Sequence, residues 1–105
     1  MLDHHTAIIG GYFYWDSGGD GRDVTRYEEG IGHTIVISAR VDKIELDGKR
    51  ILIARRPRTS IPGPGGSTSR MEPTCEYWYI DSRTHEIGRF DPGDRWPTLK
   101  CRLTD

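Results

Sequence analysis

The chain lacks any run of 18 apolar residues, and its first residues, MLDHHTAII, lack a basic region followed by an apolar one. The first absence removes a membrane-spanning helix and the second a secretory signal peptide. The chain as it stands is therefore expected to be soluble and cytoplasmic, with an envelope or periplasmic location if a leader has been removed. Cysteine is scarce, with only Cys75 and Cys101 and no CxxC. In a cytoplasmic chain two buried free thiols are expected; in a secreted one the pair can form a disulfide. HExxH and HxH are missing too, and His4 and His5, being adjacent, point to opposite faces of a strand. No metal site and no cofactor is expected. Ser67 and Ser69 sit outside any GxSxG elbow. Gly63–Gly66 lacks the lysine and the following helix that a phosphate loop needs. Most standard enzyme classes thus have no signature here.

Sustained helical periodicity is also lacking. Thirteen glycines and six prolines punctuate 105 residues, and short β-rich runs lie between them. One all-β domain over 1–105 is expected. Its form is a small antiparallel sandwich or partly open barrel of about six or seven strands. Apolar residues are 34% of the chain, and few of them are leucines, so aromatic residues must help fill the core.

The stretch from His33 to Arg55 organises the rest. Asp47-Gly48 between two apolar runs is a strong hairpin signal. A two-residue loop there sets Leu46 opposite Lys49, Glu45 opposite Arg50 and Ile44 opposite Ile51, with pairing of about 34–46 with 49–55. The apolar phase changes parity between Val41 and Ile44, which predicts a bulge near Asp42-Lys43. Ile51–Ala54 is apolar on both faces, as a central strand is.

The remaining runs follow in order. Ala7–Trp15 reads as one strand with a bulge at Gly10-Gly11. Tyr12 and Tyr14 face one way, and Phe13 and Trp15 the other. Asp16–Asp23 is a turn. Residues 18–23 match GGxGxD, the core of a calcium-binding repeat, but one copy out of phase reads as a glycine-rich turn. Asp16, Asp20 and Asp23 are at most a weak cation site. Asp23–Tyr27 is a short strand. Arg56–Thr74, with its IPGPGG centre, reads as a flexible loop with basic flanks. Cys75–Asp81 is the densest aromatic strand, with Tyr77 and Tyr79 on one face and Trp78 and Ile80 on the other. It pairs with 85–90 across a turn at 81–84. Trp96–Leu103 is a candidate last strand.

Ile51–Arg55, a polar loop, Tyr77–Asp81, a short turn and a glycine together resemble a family of small uncharacterised bacterial β-domains, many of them envelope lipoproteins. The resemblance spans about residues 33–91. It brings no established activity and no site residues. The chain departs from that pattern in having no leader and no lipidated cysteine near its start.

The net charge of −1 hides a segregation. Residues 1–32 carry two basic and six acidic side chains, and residues 33–58 carry seven basic and three acidic. The favoured function is a non-enzymatic domain, of an immunity or accessory kind, that binds another protein with an acidic surface. Arg55, Arg56, Arg58 and Arg70 are the expected contacts, with Tyr77, Trp78 or Tyr79 as apolar anchors. A single-stranded nucleic-acid binder is the alternative, with aromatic rings stacking bases. The sequence pI of about 6.4 opposes it. A small hydrolase is a second alternative. It needs Cys75 beside His33 or His85, or a carboxylate pair drawn from Glu28, Glu29 and Glu76.

Overall fold

The computed structural model describes residues 4–18 and 21–103. It contains no helix among them. Ten strands form in order: β1 (His4–Ala7), β2 (Tyr12–Asp16), β3 (Arg22–Glu28), β4 (Gly32–Ile37), β5 (Val41–Asp47), β6 (Arg50–Arg55), β7 (Arg58–Gly63), β8 (Gly66–Met71), β9 (Glu76–Asp81) and β10 (Ile87–Arg89). Sheet A has the order β1-β2-β3-β4 and sheet B the order β10-β9-β6-β5, while β7 and β8 form a ribbon of their own. All pairings are antiparallel. The all-β antiparallel expectation holds, and the sheets do not close into a barrel.

The strand count exceeds the expected one for specific reasons. Ala7–Trp15 is not one strand but the end of β1, a turn and β2. Gly10 and Gly11 both take positive φ (59° and 85°), so the pair reverses the chain rather than bulging it. Gly10 is also pressed against the turn after β9, where an added Cβ would lie 2.9 Å from that of Ser82. The run 33–47 is likewise two strands. β4 pairs with β3, and β5 pairs with β6, so the chain changes sheet at Ser38–Arg40.

The Asp47-Gly48 hairpin forms, but its loop is Gly48-Lys49. Asp47 pairs with Arg50, Leu46 with Ile51, Glu45 with Leu52 and Ile44 with Ile53. Glycine alone takes positive φ in the loop (61°), as in a type II′ turn, which displaces the expected register by two. Because side chains alternate with period two, every residue keeps its expected face. The bulge falls between Val41 and Lys43, as the parity change requires.

Sheets A and B pack face to face. Tyr12 and Val24 from sheet A meet Ile51, Ile53 and Ile80 from sheet B, joined by Val41 and Ile37 at the crossover. Tyr12 is fully buried and satisfies its hydroxyl on His85 Nδ1 at 2.8 Å. The other face of sheet B is covered as well. Leu52 and Ala54 on β6, with Tyr77 and Tyr79 on β9, carry Phe90, Trp96, Leu99 and Cys101 of the C-terminal segment. β6 is therefore central and apolar on both sides. Trp96–Leu103 is not a strand; it forms turns and an irregular cover, fixed by the wholly buried Leu99.

Cys75 and Cys101 form a disulfide, with S–S 2.05 Å and Cα atoms 5.6 Å apart. The expectation of free thiols is thus corrected: β9 and the tail that folds across it bring the two cysteines together, which no local spacing discloses. The bond pins the cover to the start of β9.

Residues 58–71 form a β-ribbon instead of an irregular loop. Arg58 pairs with Met71, Ile61 with Thr68 and Gly63 with Gly66, with Pro64-Gly65 at the tip. Both prolines are compatible with this, since neither strand is interior to a sheet. Every residue from 58 to 70 is exposed.

Two outcomes are expected. Replacing Cys101 with serine should lower unfolding stability by about 2–4 kcal/mol, read from urea denaturation under non-reducing conditions. An unchanged midpoint would mean the cover does not depend on the bond. Amide exchange should be slow across β6 and near the unprotected rate over 58–70, because an isolated two-stranded ribbon is marginally stable. Equal protection of both would show that the ribbon is packed down.

Candidate functional site

Side chains alternate along β2, so Tyr12 and Tyr14 enter the core and Phe13 and Trp15 emerge on the outer face of sheet A. The register places His5 beside Trp15, Thr25 beside Phe13, and His33 beside Tyr27. Four strands thus deliver rings to one patch. His33 lies at its centre, with ring centroids 5.0 Å from Phe13, 5.0 Å from Trp15, 5.2 Å from Tyr27 and 5.3 Å from His5. Edge-on and tilted contacts of this kind suit the ring quadrupoles. Beneath them Thr25, only 2% exposed, shares a 3.1 Å hydrogen bond with His33 Nδ1 and fixes the imidazole plane.

Phe13, Trp15 and His33 are half-buried, and the patch opens to solvent toward Tyr27 and Ile35. Tyr27 is 49% exposed and Ile35, next on the same face, 58%. The same register puts one carboxylate, Asp23, and no lysine or arginine on the face. Arg22 and Arg26 alternate to the other side, where they pair with Asp16 and Glu28. Asp23 is held by the Ala39 backbone N–H. Burial pushes its carboxyl above the ordinary value, and this outweighs that bond and the charges of Arg58 and Arg55.

The residues singled out from sequence are not gathered into one surface. Arg55 bonds Ser38 O at 2.7 Å and pairs with Glu76. Arg56 is buried at 4% exposure and donates to Glu72 O at 2.6 Å and Arg102 O at 3.3 Å. Both guanidiniums join parts of the fold to one another. Arg58 and Arg70 are exposed on the ribbon, Arg70 at 3.8 Å from Glu72. Tyr77 lies edge-on to Phe90 under the C-terminal cover. Tyr79 donates its hydroxyl to Glu86 and carries Arg50 over its ring at 5.4 Å. Trp78 donates to Glu76 at 3.1 Å and is capped by Arg89 at 5.1 Å.

Neither catalytic arrangement considered from sequence is assembled. The Cys75 sulfur is bonded to Cys101. His85 bonds Tyr12, and His33 bonds Thr25. Glu76 belongs to the Arg55–Arg89 cluster, and Glu28 to Arg26. Burial alone would raise the Glu76 carboxyl, but hydrogen bonds from Trp78 and Arg55 and the two guanidinium charges leave it below the ordinary range. Among the described residues no three His, Cys, Asp or Glu side chains form a metal-binding group. Asp20, part of the considered cation site and of the GGxGxD match, lies outside them. No family description, curated protein or solved structure matches the chain.

Sequence reading missed the outer patch because its rings come from four separated strands. The one available signal was the alternation in YFYW, which sends Phe13 and Trp15 away from the core.

The raised Asp23 carboxyl has a testable sign. Its folded-state pKa lies above the unfolded value of about 3.9. Folding therefore favours the protonated form, and that contribution is lost as pH rises through the folded pKa. Asp23→Asn keeps an acceptor for Ala39 and removes the charge. Its melting temperature should exceed that of the parent at pH 7, and the two should converge as pH falls below the unfolded value. A variant less stable than the parent at pH 7 would contradict this assignment.

Proposed function

We propose that this protein is a non-catalytic module that binds another protein through the uncovered aromatic face of sheet A. The observation that carries this reading is the asymmetry of the two sheets. Sheet B has both faces buried, whereas sheet A leaves Phe13, Trp15, Tyr27 and His33 on an open face beside Ile35. Aromatic side chains dominate binding energy where a partner excludes water from them. A single-stranded nucleic acid is less well suited, because the strands of this face present rings for stacking but no lysine or arginine of their own. The partner's acidic groups instead meet Arg58 and Arg70 on the ribbon, the two sequence-selected arginines left exposed. The disulfide favours an oxidising compartment. That agrees with the envelope setting of the bacterial domains that residues 33–91 resemble, where an accessory or immunity role fits a small domain without a catalytic site.

Photo-crosslinking tests the reading. A photoreactive residue in place of Ile35 should give discrete protein adducts in cell extract, lost on Tyr27→Ser, whereas one in place of Lys49 in the β5–β6 turn should not. If position 35 yields adducts only with nucleic acid, or none, the proposal fails.

A further inference from the structure

The two sheets part at one corner. β1 and β5 are edge strands of sheets A and B, and a cleft of about 450 Å³ opens between them. Small-molecule sites fall within about 300–1,000 Å³. The walls are mainly apolar, with Ala7 and Ile8 at and just after the end of β1, and Val41, Ile44 and Leu46 on β5. Leu46 shows that the interior is not filled here. It points to the same face of sheet B as its cross-strand partner Ile51. Ile51 is wholly buried, whereas Leu46 is 48% exposed.

Polar groups converge on this apolar lining. Tyr14 lines the cleft and packs against the core. Its hydroxyl has no hydrogen-bond partner among the described residues, nor is it sealed from solvent. Burial pushes it above its ordinary pKa. Of the charges that act on it the strongest is the Arg22 guanidinium, with Asp16 and Asp42 opposing. Arg22 keeps a buried Nε that meets no acceptor. Asp42 also lines the cleft, but its oxygens are taken by Arg40 at 2.7 and 3.1 Å and by the Arg102 N–H at 2.8 Å. Asp16 stands 3.9 Å from Arg22. Each carboxylate thus has a cationic neighbour. Lys43 is exposed and forms no ion pair among the described residues. The bulge between Val41 and Lys43 breaks the alternation of β5, and Val41 to Ile44 line the cleft in succession. Arg22, Arg40 and Lys43 against Asp16 and Asp42 leave a positive charge over.

We propose that this cleft binds a small monocarboxylate with an unbranched apolar body. The body lies between Ile8 and Leu46, and the carboxylate accepts a hydrogen bond from the Tyr14 hydroxyl in the field of Lys43 and Arg22. At about 30 Å³ for a water-sized group, the cleft admits on the order of fifteen non-hydrogen atoms, enough for a medium-chain acid. The site lies on the inner side of sheet A, away from the aromatic face. It does not depend on the protein-binding reading of that face.

Amide chemical shifts of the full chain, followed as octanoate is added below its micelle-forming concentration, test the proposal. 1-Octanol serves as the uncharged counterpart. Octanoate should give saturable shifts at residues 6–8, 14 and 41–46 and spare Tyr27 and Ile35. Octanol should bind several-fold more weakly. Tyr14→Phe should weaken octanoate about tenfold, as loss of a hydrogen bond to a charged group does. Lys43→Met should weaken it about threefold, as loss of an exposed charge does, and leave octanol unchanged. Thr6→Trp, at an exposed position in the lining, should fill the cleft and abolish binding of both. The same spectra show whether each variant is folded. Absence of saturable shifts would overturn the proposal, as would shifts of equal size on the aromatic face. So would octanol binding as tightly as octanoate, or an octanoate affinity that either Tyr14→Phe or Lys43→Met leaves unchanged.

Discussion

Two arginines at one end of the molecule hold together parts of the chain that are distant in sequence. Arg40 bonds Asp42 through Nε at 2.7 Å and reaches Arg102 O at 2.8 Å. Asp42 in turn accepts from the Arg102 backbone N–H at 2.8 Å, and Arg56 shares Arg102 O while holding Glu72. A guanidinium taken out of water is tolerable only when its donors are met. Here they are met by the sheet crossover, the base of the ribbon and the C-terminal segment together. Arg40 ties the crossover at 38–40 to the tail, and Arg56 ties the base of the ribbon to it. The tail is what covers the outer face of sheet B, with Leu99 as its buried plug. The placement of the open face on sheet A, rather than on both sheets, follows from this knot.

The same arrangement explains where the basic residues went. From sequence, the arginines around 55–58 and 70 suggest one cationic surface. In the fold, Arg55 and Arg56 are consumed by Ser38, Glu76, Glu72 and Arg102, and Arg58 and Arg70 alone project outward. Charge segregation along the chain becomes cohesion between segments as much as a signal to a partner.

Local chemistry made part of this legible. Asp-Gly marked the β5–β6 reversal, the parity change marked the bulge at Asp42, and alternation in CEYWYID sorted Tyr77 and Tyr79 from Trp78 and Ile80. What depended on tertiary placement was not legible. His33–Ile37 and Val41–Asp47 carry the same β-branched character, and only three residues separate them, so nothing local says that they belong to different sheets. Gly10-Gly11 suits a bulge and a turn equally until its two positive φ values decide. The disulfide depends on a tail whose course is set by Leu99 and Arg102. The ring cluster around His33 needs the registers of four strands at once.

The ribbon lies between β6 and β9, and those two strands pair directly, from Arg50 with Asp81 to Arg55 with Glu76. In topological terms it is the drawn-out loop of an otherwise ordinary hairpin. Its fourteen residues, 58–71, carry none of that register, which is set by side chains on either side of it. Nicking the ribbon after Arg58 and Arg70 would therefore excise 59–70 and leave two larger fragments whose strands still interlock through β6 and β9 and through the tail bound across sheet B. The molecule is in this sense a pair of complementary halves joined by a tether. The length and composition of that tether are free to vary without disturbing either half.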